Sequence, residues 1–270
     1  MISPVPPAPR RAAFRRVRIA ILLSVLLVTA AWGGSTAHKR RVRSQWRRPL
    51  QVGIVLLAPG GGVDAEAWRR GASRLSGRLA EEMQRWRGPG AIPFEISVVG
   101  PVAWNRSLPF SPASGSLLDR ARHAVDVWRT VGEIDEAAGG VVGGFDVRAF
   151  VLTATLPDDP VGFSEGSGAL NGEVAFVRGP AGGDLAIPLL TVGHELLHTV
   201  GASDKYDEHG HAREPIGLAD PDRVPPYPQD HAEWMVGEVA VAPGRGRLPA
   251  SIEELRVGPT TAREIGWVAR

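Results

Sequence analysis

The chain has 270 residues, 43% of them hydrophobic and 22% charged, enough to bury one sizeable core and too apolar for wholesale disorder. Its near balance of 31 bases and 29 acids hides a lopsided distribution: residues 1–48 hold eleven Arg/Lys and no acid, leaving 20 bases against 29 acids in the rest. A basic head on an acidic body fits membrane proximity, no nucleic-acid-binding signature accompanies it, and the absence of cysteine excludes disulfides, thiolate metal sites and cysteine nucleophiles together.

Residues 1–18 read as a basic tail of cytoplasmic type. Residues 19–37 carry no charge, and their apolar heart runs from Ile19 to Trp32. About twenty such residues are needed to span a bilayer, and a tryptophan suits the interface. Ser35-Thr36-Ala37 is a passable cleavage site, but Lys39-Arg40-Arg41 follows at once and hinders export. The segment therefore reads as a transmembrane or signal-anchor helix, followed by a basic linker (38–49) and a domain over 50–270. On this reading the protein is single-pass and membrane-anchored with the domain extracytoplasmic, or secreted if the segment is cleaved.

Within the domain, Gln51–Leu57 is an apolar run that reads as a buried strand. The Gly60-Gly61-Gly62 turn after it lacks the Lys-Ser/Thr ending of a phosphate loop and reads as a plain tight turn. Asp64 suits the N-cap of a helix reaching about Arg87. Phe94–Val102 reads as a second strand. Helical spacing then runs from Leu117 to about Ile134 through Leu118, Ala121, Val125, Trp128 and Val131. Val147–Thr155 reads as a third strand, and Glu173–Val177 as a short fourth at a sheet edge. Strands alternating with helices imply an α/β fold with a mixed, mostly parallel twisted sheet. Gly162-Phe-Ser164-Glu-Gly166 matches the Gly-x-Ser-x-Gly nucleophile elbow, but neither the strand before it nor the helix after it is present, so it reads as a loop leading to the edge strand.

The chemistry concentrates in Leu189-Leu-Thr-Val-Gly-His194-Glu195-Leu-Leu-His198-Thr-Val-Gly201-Ala-Ser-Asp204. Apolar residues at 189, 192, 196 and 200 share one helical face, and His194 and His198 stand one turn apart, so both imidazoles can serve one zinc ion. Glu195 lies roughly 100° round the helix, beside the metal position and not on it, where a carboxylate can act as general base. Gly201 permits a sharp turn that swings Asp204 back as third ligand. Two histidines and one carboxylate leave a position open for water, the arrangement of a catalytic site and not a structural one. Chance would produce the His-Glu-x-x-His-x-x-Gly-x-x-His/Asp pattern in roughly one chain in ten thousand of this composition, so the pattern weighs heavily. Asp207 competes with Asp204 for the ligand role. His209, His211, Asp220, Asp222 and His231 are either further ligands or solvated loop residues.

At these motif residues the chain resembles the metzincin clan of zinc peptidases, and its Asp variant is similar to that of the snapalysin-type bacterial neutral proteases. The resemblance implies one zinc, a peptide or protein substrate, and a cleft with the active-site helix beneath it. It also implies a methionine turn under the metal, which Met235 in Glu233-Trp-Met-Val-Gly237 would supply. Some clan members place a tyrosine two residues after that methionine. Gly237 stands there instead, leaving Tyr206 and Tyr227 as candidate oxyanion stabilisers. The free edge of Glu173–Val177 is the expected upper rim of the cleft, pairing with an extended substrate. The alternative is a catalytically dead peptidase fold acting as a membrane-anchored binding protein.

Overall fold

The computed structural model describes residues 43–60, 62–110, 116–153, 165–168, 172–179 and 183–268, with six helical positions between 14 and 27. The chain divides into two units, 1–43 and 44–270. In the first, the described positions are helical and the Arg18 guanidinium lies over the Phe14 ring at 5.9 Å. Most of the uncharged stretch 19–37 lies outside the described residues. Among those described, no helix is long and apolar enough to cross a membrane.

The second unit is built on a five-stranded sheet of order β2-β1-β3-β5-β4. Its strands are β1 (Leu50–Ala58), β2 (Phe94–Ala103), β3 (Val147–Thr153), β4 (Glu165–Gly168) and β5 (Val174–Gly179). The first four in that order run parallel and β4 pairs antiparallel with β5. The apolar runs of β1 and β3 are central, as a strand covered on both faces requires. Alternation sorts their side chains. Val52, Ile54, Leu56, Ala149 and Val151 join one core with Trp68, Leu75 and Leu79 of α1 (Ala65–Arg87) and Leu189, Val192 and Leu196 of α3 (Ala186–Thr199). Val55, Leu57, Phe150, Leu152 and Phe176 form a second core on the other face with Ile134 of α2 (Leu117–Ala137). Gly53 is required where it stands, since a Cβ there would meet the Phe145 ring at 2.5 Å.

Helix α1 starts where expected, with the Asp64 carboxylate accepting from Ala67 N at 2.9 Å. Helix α2 opens on a capping box: Asp119 N donates to Ser116 Oγ and Ser116 N to the Asp119 carboxylate. Only the later part of its apolar spacing faces the core, through Val131 and Ile134, because Leu118, Val125 and Trp128 are 58%, 55% and 76% exposed.

One expectation fails at the sheet edge. The run Glu173–Val177 is not an edge strand, because β5 is covered by β3 on one side and β4 on the other. Among the described residues the edge is β4, part of the segment read as a loop. Gly162 and Ser164 of the elbow-like motif lie outside the described residues, whereas Glu165–Gly168 is strand. Its two glycines leave no apolar alternation to read.

After α3 the chain forms short pairs, β6 (Ala232–Glu233) with β9 (Leu255–Arg256) and β7 (Val239–Ala242) with β8 (Arg245–Arg247), and ends in α4 (Pro259–Glu264). The fully buried Glu82 on α1 accepts from Arg78, Arg85 and Val257 N, tying this C-terminal part to α1.

Candidate metal centre

Helix α3 runs beneath the sheet's β4 edge, its apolar face formed by Leu189, Val192, Leu196 and Leu197, all buried. Just before its start, the Asp184 carboxylate accepts from Ala186 N at 2.9 Å. At its end Gly201 N donates to His198 O and Ala202 N to Leu197 O, and Gly201 takes φ 111°, a conformation suited to glycine. The chain thus reverses within three residues of His198.

That reversal brings Asp204 back to the helix. Its Oδ1 lies 3.1 Å from His194 Nε2 and 3.2 Å from His198 Nε2. The other ring nitrogens face backbone carbonyls: His194 Nδ1 donates to Trp234 O at 3.2 Å and His198 Nδ1 to Ala202 O at 2.8 Å. A carbonyl only accepts, so each Nδ1 carries a proton, which leaves Nε2 of each ring facing the shared point as the atom a metal ion would take in place of a proton. Ligand bonds of about 2.0–2.1 Å around a tetrahedral ion put neighbouring donor atoms about 3.3 Å apart. The carboxylate oxygen stands at about that spacing from each of the two nitrogens, so the donor set fits one small divalent ion.

The electrostatics agree. Burial works to raise the Asp204 pKa, but hydrogen bonds from both histidines overcome it and hold the carboxylate well below its ordinary range. Burial works to lower the His198 pKa, and Asp204 with the Ala202 carbonyl raises it on balance. The site therefore favours a carboxylate facing positive charge.

Glu195 is buried beside the histidines, and the donor atoms of His194, Glu195 and His198 all lie within 4.8 Å of one another. Among the described residues this is the one such His/carboxylate group. A Cβ on Gly166 of β4 would sit 2.3 Å from Glu195 Oε1. The edge strand thus lays bare backbone against the carboxylate. On the opposite side of α3, Gly193 admits the Trp234 ring, which a Cβ there would meet at 2.6 Å.

Met235 is fully buried in a tight turn where Val236 N and Gly237 N both donate to Glu233 O. This turn supplies the Trp234 carbonyl that orients His194, and the Met235 carbonyl accepts from Lys205 N at 3.0 Å. The Glu233 carboxylate organises it, accepting from Met235 N, Gly258 N and Thr261 Oγ1, while burial pushes its pKa up.

The two tyrosines part company. The Tyr206 ring lies against His194, 6.4 Å between centroids and 23° from parallel. Burial, then Asp204, pushes its pKa up to about 12, so it is a hydrogen-bond donor near the histidines. The Tyr227 hydroxyl instead donates to Glu214. Asp207 does not reach the histidines of α3 with any hydrogen bond among the described residues; its carboxylate caps a turn, accepting from His209 N and His211 N. His211 Nδ1 faces Glu238 at 3.2 Å, and His209 is exposed beside Glu208.

Ser203, Lys205 and Glu264 shape this site without having been singled out from sequence, and Gly166 and Glu233 were named there only as parts of other motifs, not for these contacts. No local signal marks them, because their partners lie tens of residues away.

No family model matches the chain, and none of the curated proteins matches it. What the fold and site establish is an α/β chain with a mostly parallel sheet and a His-Glu-x-x-His helix whose side chains can hold a metal ion.

Proposed function

We propose that this protein is a zinc-dependent peptidase of metzincin type, held at a membrane by its N-terminal segment. The observation that carries this reading is Asp204 Oδ1 lying 3.1 Å from His194 Nε2 and 3.2 Å from His198 Nε2, with both Nδ1 atoms facing carbonyls. Three protein donors leave a coordination position free, and imidazole with carboxylate suits zinc. Zinc bound there supplies a Lewis acid that acidifies water and polarises a carbonyl.

The rest falls to this chain's own residues. Glu195, buried beside the donors, takes the proton of the attacking water and returns it to the leaving amine. Gly166 keeps the space over that carboxylate clear of any side chain. Among the described residues β4 has no strand on its outer side, and an extended peptide would add to the sheet there as a further strand. Tyr206, held protonated against His194, is the tyrosine placed to donate to a developing oxyanion. The Met235 turn supports His194 from below through the Trp234 carbonyl.

The test is zinc content and cleavage of a peptide library by the purified full chain. A zinc-loaded wild type that cleaves nothing would hand the site to a binding role.

A further inference from the structure

Asp204 sits on a turn outside the helix, and its side chain is 42% exposed. A carboxylate on a loose turn would have to be ordered by the metal at a cost in conformational entropy. Here the turn is tied down from both sides of Asp204 by one carboxylate about sixty residues downstream. Glu264, the last residue of α4, accepts from Ser203 N at 2.9 Å and from Ser203 Oγ at 3.0 Å. It also accepts from Lys205 Nζ at 2.6 Å, and the same ammonium reaches Ser203 O at 2.5 Å and Ser203 Oγ at 2.9 Å. The backbone is pinned as well: Lys205 N donates to Met235 O, Arg213 N to Lys205 O, and Arg213 Nη2 to Asp204 O.

Lys205 is 1% exposed, unusual for a residue that normally keeps its charge in water. Its three ammonium donors have three acceptors, so the charge is fully satisfied. Buried ion pairs are seldom the most stabilising choice, since an apolar pair of similar volume often does as well or better. What the pair does supply is geometry, at the two residues flanking the carboxylate that faces the histidines. The mechanism above uses neither residue.

We propose that Lys205 and Glu264 are positioning residues: with Ser203 they form a clamp that presets Asp204 against His194 and His198 before any metal arrives. The inference rests on the zinc-peptidase reading and deepens it, assigning to α4 the task of holding the third ligand.

The test uses the full chain in three forms: wild type, Glu264→Asp, and the paired Lys205→Met/Glu264→Leu variant. The paired variant removes both charges and leaves none stranded, so it separates positioning from fold support. Zinc affinity is read by competition with a chromogenic chelator, melting temperature on the metal-free proteins. Outer partners of metal ligands typically contribute about 10–100-fold in metal affinity. Both variants should therefore bind zinc about 10–100-fold more weakly, while the paired variant melts close to wild type. A paired variant with undiminished zinc affinity would overturn the clamp. Should neither variant fold, amide exchange on the metal-free wild type decides. Protected Ser203 and Lys205 amides support a preset turn, and amides protected only after zinc is added overturn it. A wild type that takes up no zinc fails the peptidase reading and the clamp together; normal uptake with an undiminished paired variant fails the clamp alone.

Discussion

Glu195 and Asp204 are both carboxylates within reach of the same two histidines, yet their surroundings set them apart. Asp204 faces the Nε2 atoms directly, while Glu195 is enclosed between α3 and the bare backbone of Gly166. Gly166→Ala should therefore displace the Glu195 side chain and leave the donor set intact. A misplacement of about 1 Å can cost about 100-fold in rate, so cleavage should fall by at least about tenfold with zinc content unchanged. Cleavage at the wild-type rate would show that Glu195 has room to spare. The two aspartates make a second contrast: Asp204→Ala should weaken zinc binding far more than Asp207→Ala, whose carboxylate only caps a turn. Equal losses on metal titration would remove Asp204 from the ligand set. His194, Glu195, His198 and Asp204 were legible in the sequence because one helical turn and one glycine fix their relations. Gly166 and Glu264 were not, because the sheet edge and α4 reach the site only through the tertiary fold.

At the level of elements, periodicity located helices and strands but not what they face. Helix α2 has the apolar spacing of a core helix, yet it reaches the second core only through Ile134 and the partly buried Val127 and Val131, and Trp128 points outward. Trp128→Ser should thus change stability by less than about 0.5 kcal/mol, the range of surface substitutions. Trp68→Ala on α1, where the ring is fully buried, should cost about 3–5 kcal/mol. Urea unfolding of the two variants measures both, and a large loss at Trp128 would mean the face is covered in solution. The edge strand shows the converse limit. Glu165–Gly168 carries too little apolar character to signal a strand, so the apolar run behind it looked like the edge.

Across the whole molecule, the second unit closes on itself through polar ties between distant segments: Glu82 with Val257, Glu233 with Thr261, and Lys205 with Glu264. The last gives a pH signature. Burial works to raise the Glu264 pKa from 4.5, but Lys205 and Ser203 lower it on balance, so the tie stabilises the fold above about pH 4.5 and is lost as pH falls through the depressed folded value. In metal-free protein, the stability gap between wild type and Glu264→Gln should be full at neutral pH and shrink in acid; a gap that grows in acid would contradict the assignment. The parallel sheet and its helices could be anticipated from alternating apolar runs, whereas these ties join residues that nothing in the sequence pairs. The account as a whole stands on a metal held by three residues and a base that is not among them. Zinc content and peptide cleavage, measured side by side on the full-length wild type and Glu195→Gln, test that most directly. Both proteins should hold close to one zinc, and the variant should cleave at least about 100-fold more slowly, the lower range for a lost general base. Loss of zinc from Glu195→Gln, or a zinc-loaded wild type inert toward a broad peptide library, would contradict it.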